Sequence, residues 1–158
     1  MASEKATAIV SLATQEIGEK ESPAGSNKTK YGEWFGLNGE AWCGIFVSFI
    51  YSKAGAPLGK IGFSKGFAGC ATAVEHFRKT GEVVSQQNVK AGDIVIYRFK
   101  TRPDHTGIFI SHNADGTFTA IEGNTAIGND SNGGEVMRRT RKFSQVELFA
   151  HPKVLDQI

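Results

Sequence analysis

A cysteine stands at the head of the most apolar stretch of this sequence. Trp42-Cys43-Gly44 leads directly into the apolar run 45–51, which predicts a buried helix. The first turn of a helix has unpaired backbone N–H groups and the positive end of the helix dipole, and both favour a thiolate. Because the thiolate is the form of cysteine that attacks carbonyl carbons, this position predicts a catalytic nucleophile at Cys43 rather than a small core residue.

Helical periodicity comes first along the chain, and strand periodicity follows it. The predicted elements are helices over 3–18, 43–54 and 68–80, strands over 93–99, 106–112, 117–122, 135–141 and 146–151, and loops over 19–41 and 123–134. Helices followed by strands predict an α+β fold, with the N-terminal helices packed on one face of an antiparallel sheet. We expect a single domain over residues 1–158, since the sequence contains no linker or repeat.

Charge and composition exclude several classes of function. The 18 basic and 16 acidic residues give a formal charge of only +2, and no basic block indicates a nucleic-acid partner. No apolar run approaches the roughly 20 residues that span a bilayer. Two cysteines and four scattered histidines show no ligand spacing, so neither a metal nor another cofactor is expected.

The first residues, Met1-Ala2-Ser3-Glu4-Lys5, do not have the pattern of a signal peptide. We therefore expect a protein that is made in a cytoplasm without an export signal. In that reducing compartment Cys43 and Cys70 are expected to be free thiols, with Cys70 serving as a core residue.

A base and its orienting partner are predicted on one hairpin. His105 begins one predicted strand and Glu122 closes the next, across an Asp115-Gly116 turn. Pairing about this turn would set 106–108 opposite 121–123, and so bring Glu122 close to His105. His105 then serves as the base for the Cys43 thiol, and Glu122 orients its ring. Asn124 is a helper or a substitute for Glu122. Surface or structural positions are predicted for the other histidines, His76, His112 and His151.

Two other motifs are interpreted as structural. Gly62-Phe63-Ser64-Lys65-Gly66 matches G-x-S-x-G, but the nucleophile elbow of serine hydrolases needs a buried strand directly before it. Gly55 to Gly59 precede this motif instead. The polar loop around Asp130 lacks the spacing of a calcium-binding loop and is interpreted as a solvated turn.

Taken together, these motifs resemble the CHAP family of cysteine, histidine-dependent amidohydrolases/peptidases, in particular single-domain phage endolysins. The segments that carry the resemblance are 17–27, 41–48, 91–95, 105–108 and 121–124. The resemblance implies a papain-like cysteine peptidase fold and the cleavage of amide bonds in peptidoglycan. It implies Cys43 as nucleophile, His105 as general base and then acid, Glu122 as orienter and Asn124 as a fourth polar member. Thr106 departs from the valine that many relatives carry, and a strand accommodates either residue.

The resemblance also extends to substrate and setting. Trp42, Trp34 and the loop 123–134 are expected to line a substrate groove, and Tyr31 or Asn27 to supply a second oxyanion donor unless they serve in packing. The expected partner is peptidoglycan, bound by a monomer that acts on the cell wall after release from the host cytoplasm. Two alternatives remain: an antagonism effector with the same chemistry, and a non-catalytic module that binds the wall.

Overall fold

The computed structural model describes residues 3–157. Its helices are α1 Glu4–Gln15, α2 Lys30–Phe35, α3 Cys43–Lys53 and α4 Cys70–Thr80. Its strands are β1 Val83–Val84, β2 Ile94–Tyr97, β3 His105–His112, β4 Phe118–Thr125, β5 Glu135–Arg141 and β6 Val146–Ala150, with short 3-10 helices at Phe143–Gln145 and Lys153–Asp156. Met1 and Ala2, on which the predicted absence of an export signal partly depends, lie outside the described residues.

Helix α3 is the central helix of the fold. Its side chains are apolar on nearly every face, and such a helix is stable only when it is surrounded. It packs against β3 and β4 on one side and contacts α1 and α2 on the other. Trp42 precedes it and makes no side-chain cap to its first turn.

All strand pairs of the sheet are antiparallel, in the order β1-β6-β2-β3-β4-β5. In the β3–β4 hairpin Ile108 pairs with Ile121, which confirms the predicted register. A register shift between Phe109 and Ser111 absorbs one residue nearer the turn. The start of β3 and the end of β4 therefore lie side by side, at the end of the sheet against which α3 packs.

Two apolar clusters cover the sheet. The larger cluster combines the helices with inward residues of the strands, including Ile108 and Ile121. The smaller one is rich in aromatic side chains and includes Tyr97, Phe109 and Phe118. The predicted arrangement, with helices on one face of an antiparallel sheet, is confirmed. No helix within residues 3–157 is both long and apolar enough to cross a membrane.

The structure adds short elements that were not predicted, among them helix α2 and strand β1. Helix α2 lies within the predicted loop 19–41, where the Thr29 hydroxyl caps the N–H of Gly32 and Gly36 ends the helix at a φ of 87°. Six residues are too few to show a helical period. Strand β1 has only two residues and forms through pairing with β6. Strand β2 is shorter than the predicted 93–99.

Candidate active site

Cys43 is the first residue of α3, and 5% of its surface is exposed. The segment before α4 packs tightly on this turn: a Cβ at Gly44 would lie 2.9 Å from the Phe67 ring and 3.0 Å from the Ala68 carbonyl oxygen. Ser48 holds the same segment through hydrogen bonds with the backbone N–H and carbonyl of Phe67. This packing brings Cys70, the first residue of α4, against Cys43.

His105 is fully buried at the start of β3. Its Nε2 lies 2.9 Å from Oε1 of Glu122, so the predicted pairing of the two residues is present. The ring stacks against Tyr97 and Phe99, with centroids 5.7 Å away in each case. Nδ1 is buried and has no hydrogen-bond partner within residues 3–157. It is therefore the nitrogen left to exchange a proton with Cys43.

Glu122 is fully buried, and both of its oxygens accept further hydrogen bonds. The Tyr97 hydroxyl donates to Oε2 at 2.6 Å, and Nε of Arg141 donates to the same oxygen at 2.9 Å. Nη2 of Arg141 donates to Oε1, which also faces His105. The carboxylate passes over Gly107, where a Cβ would lie 2.5 Å from its Cγ, so this position requires glycine.

The surroundings of Cys43 favour the thiolate. Polar contact with the Cys70 thiol is the largest influence, and together with His105 and the Gly44 N–H it outweighs burial and holds the pKa of Cys43 well below its usual range. Burial and contact with Cys43 raise the pKa of the Cys70 thiol well above normal, with the contact the larger cause. Cys43 is thus the member of the pair that ionises, and both cysteines are free, as predicted.

The histidine is correspondingly held protonated. Burial alone would lower the pKa of His105, but its contacts with Cys43 and Glu122 raise that pKa to about 9. Burial likewise opposes ionisation of Glu122, yet hydrogen bonds from Arg141 and His105 lower the pKa of Glu122 to about 2. These shifts favour a thiolate, an imidazolium and a carboxylate at the site, which is the charge arrangement of an activated cysteine nucleophile.

The structure corrects the expected role of Asn124. This residue is buried at a left-handed φ of 60°, two positions beyond Glu122. Its side-chain oxygen accepts from the N–H of Gly134 at 3.0 Å, and its amide donates to Asn132 at 3.2 Å. The side chain thus anchors the following loop and does not join the cysteine, histidine and glutamate.

Two expected substrate-binding residues are fully buried, which is a second correction. Trp42 donates its indole N–H to Glu21 at 3.2 Å and stacks on Tyr31, with ring centroids 5.5 Å apart. The Tyr31 hydroxyl donates to Glu16 at 2.8 Å and so is not a free oxyanion donor. Both are packing residues, because large aromatic side chains contribute most when they are buried.

The other two expected substrate contacts lie nearer the surface. Trp34 is half-buried on α2, with the Lys65 ammonium 5.0 Å from its ring centroid. Asn27 is half-buried in a turn at a φ of 59°, and its carbonyl accepts from the N–H of Gly39.

Ser64 lies exposed in a tight turn between Phe63 and Gly66, without the strand that a serine nucleophile elbow requires.

Tyr97 and Arg141 are site residues that were not predicted from the sequence. Both contact Glu122 only because β2, β4 and β5 come together in the sheet. The one signal in the sequence was alternation, which places Arg141 and Glu122 on strands with a buried face. Asp130, interpreted as part of a solvated turn, is 46% exposed and also pairs with Arg139 and Arg141.

The CHAP domain family matches residues 35–124, more than half of the 158 residues. The chain belongs to the CHAP family. The matched range contains Cys43, His105 and Glu122, and family membership confirms the prediction of a cysteine-dependent amidohydrolase or peptidase. A comparison with curated protein sequences finds no significant match.

Solved structures share the fold of this CHAP protein. The wild-type endolysin LysIME-EF1 is similar with a TM-score of 0.61 and 17% identity, over 96% of this chain and 65% of that one. This chain thus spans less than two thirds of that endolysin. The NlpC/p60 domain of the peptidoglycan hydrolase SagA is similar with a TM-score of 0.50 and 17% identity, over 92% of this chain and 97% of that one. These likenesses confirm the papain-like α+β fold.

Proposed function

We propose that this CHAP protein hydrolyses an amide bond of bacterial peptidoglycan, with Cys43 as the nucleophile, His105 as the acid and base, and Glu122 as the residue that orients His105. The observation that carries the proposal is the buried contact of Glu122 with Nε2 of His105, which leaves Nδ1 for the sulfur of Cys43. Tyr97 and Arg141 complete the environment of Glu122.

The reaction proceeds in two steps. The Cys43 thiolate attacks the carbonyl carbon, the C–N bond breaks, and protonated His105 gives its proton to the leaving amine. Water then attacks the thioester while His105 takes a proton from it, which releases the acid and restores the thiolate. No oxidant, metal or further reactant is needed to balance either step.

The start of α3 supplies part of the oxyanion hole. The backbone N–H of Cys43 lies in a first turn that has no side-chain cap, so it is free to bind the developing oxyanion. A donor of this kind contributes about 3 kcal/mol to stabilising the transition state. Tyr31 is not the second donor, because its hydroxyl is engaged by Glu16.

Peptidoglycan is proposed as the substrate because of the comparisons. The endolysin LysIME-EF1 and the peptidoglycan hydrolase SagA both share this fold, and the chain is a CHAP protein by family. We infer the role of an endolysin: a catalytic domain that acts as a monomer on the cell wall after release from the host cytoplasm.

Lysis of purified cell walls tests the proposal. We expect Cys43→Ala and His105→Ala each to abolish the fall in turbidity, while urea unfolding shows a folded protein. His76→Ala is the matched control, since His76 is half-buried and lies 3.8 Å from Glu82, away from the site. Lysis by either site variant at the rate of the control would refute the assignment.

A further inference from the structure

Arg141 is the least expected charged residue near the candidate site. Its guanidinium is 3% exposed and lies at the end of β5, with its central carbon 4.9 Å from the Phe99 ring centroid and 5.3 Å from that of Tyr97. It donates to both oxygens of Glu122. A buried arginine with such a two-pronged contact has one well-defined orientation, because its planar fork matches the carboxylate.

We propose that Arg141 is a positioning residue of the hydrolase: it fixes the Glu122 carboxylate against His105 and ties that carboxylate to Asp130 in the loop after β4. This inference rests on the proposed function for its catalytic meaning. It does not place Arg141 in contact with the substrate.

The two oxygens of Glu122 explain why its position depends on Arg141. Oε1 faces both His105 and Nη2 of Arg141, and Oε2 receives both Tyr97 and Nε of Arg141. Without Arg141, each oxygen would keep a single partner, and rotation of the carboxylate would no longer be opposed on both sides. A shift of about 1 Å in a catalytic group costs roughly a hundredfold in rate.

The same arginine also contacts the loop after β4. Nη1 of Arg141 donates to Asp130 at 2.9 Å, and Asp130 is 46% exposed within the glycine-rich loop 123–134. Glu122 and this loop are thus joined by one guanidinium.

Arg139 provides a matched control on the same strand. It donates to Asp130 at 2.7 Å and to the carbonyl of Ala126 at 2.9 Å, but its hydrogen bonds do not include Glu122. Arg139→Met therefore removes an equal charge and one Asp130 contact, while it leaves the carboxylate untouched. Arg141→Met removes both the charge and the two-pronged contact with the Glu122 carboxylate.

The experiment compares the two methionine variants with the wild-type chain. We measure kcat and KM on soluble wall fragments over pH, and the pKa of the Glu122 carboxyl by carbon-detected NMR. The charged groups that face this carboxyl are His105 and Arg141, with Tyr97 protonated beside it, Asp130 beyond the arginine and Cys43 beyond His105. Arg141→Met is expected to lower kcat roughly a hundredfold with little change in KM.

The pH readouts separate positioning from a merely structural role. In Arg141→Met the pKa of Glu122 rises from about 2, because burial remains and the main opposing hydrogen bonds are lost. In Arg141→Met the fall of kcat at acidic pH therefore begins at a higher pH than in the wild-type chain. In Arg139→Met it begins at the wild-type pH. Arg141→Lys replaces the methionine variant if that variant unfolds: it keeps the charge but loses the fork, and an intermediate fall in kcat is expected.

Each outcome decides the inference. A folded Arg141 variant with wild-type kcat and pH profile, or equal effects from Arg139 and Arg141, would overturn it. If the wild-type chain fails to cleave wall fragments, the proposed function fails, and the NMR titration still decides whether Arg141 controls Glu122. An unchanged pKa of Glu122 in Arg141→Met would then reject the positioning role.

Discussion

The thiol of Cys70 lies against the thiol of Cys43, where the first turns of α4 and α3 meet. Cys70 was expected to be a core residue, and it is buried, but it is also the largest single influence that lowers the pKa of Cys43. The two thiols have opposite shifts in pKa, so Cys70 remains protonated and can donate to the Cys43 thiolate.

Cys70→Ala is therefore expected to raise the pKa of Cys43. The rate at which iodoacetamide alkylates Cys43, followed by peptide mass spectrometry over pH, should reach its midpoint at higher pH than in the wild-type chain, because only the thiolate reacts. Thr72→Ala, at an exposed position in the same turn of α4, is the control. Coinciding profiles for wild type and Cys70→Ala would show that Cys70 does not influence the nucleophile.

Glu122→Gln is expected to lower the pH above which the enzyme loses its activity. The pKa of His105 is raised to about 9, so its proton persists up to that pH and is lost above it. Removing the negative charge of Glu122 lowers that pKa, and the alkaline limb of kcat should move to lower pH. We expect a fall in kcat of about 10⁴-fold, by analogy with the loss of the orienting carboxylate in a serine triad. An alkaline limb that stays in place would contradict the role of Glu122.

Asn124→Gly tests the corrected assignment of this residue. Glycine tolerates the left-handed φ of 60°, so the backbone is kept while the hydrogen bonds to Asn132 and Gly134 are lost. Faster hydrogen exchange in the loop 123–134 and a raised KM are expected, with the pH profile of kcat unchanged. If Asn124→Gly instead loses kcat as completely as His105→Ala, with no faster hydrogen exchange in the loop, then Asn124 is a catalytic residue.

Gly123→Ala tests the packing of α3 against β4. A Cβ at this position would lie 2.7 Å from Cβ of Phe46 and 2.8 Å from the Trp42 ring, which is closer than packed atoms allow. Overpacking of this kind lowers the free energy of unfolding by about 1–3 kcal/mol, measured by urea titration. Gly69→Ala is the control, because its Cβ would meet Thr72 at an ordinary 3.6 Å. Equal stability of the two variants would contradict the close approach of helix and strand.

The hairpin that holds His105 and Glu122 was predictable because its signals are local. The Asp115-Gly116 turn fixes where β3 and β4 reverse, and a buried strand face fixes which residues point inward. The cysteine at the start of α3 was predictable for the same reason, since an apolar run and its first residue are adjacent in sequence.

Contacts that join distant strands were not predictable in this way. Arg141 follows Arg138 and Arg139 in one strand, and nothing local distinguishes the arginine that meets Glu122 from its neighbours. The contact of Cys70 with Cys43 depends on how the segment before α4 packs on Gly44. Asn124 was misassigned because the local sequence pattern does not reveal its left-handed backbone conformation. This conformation turns the side chain of Asn124 toward the loop.

The most direct test of the central claim is mass spectrometry of a defined peptidoglycan treated with the wild-type chain and with Cys43→Ala. The proposed chemistry predicts fragments that each gain one water across a single amide bond, with new amino groups, from the wild-type chain alone. Identical fragments from Cys43→Ala, or fragments with new reducing sugar ends in place of amines, would contradict attack by the Cys43 thiolate on an amide.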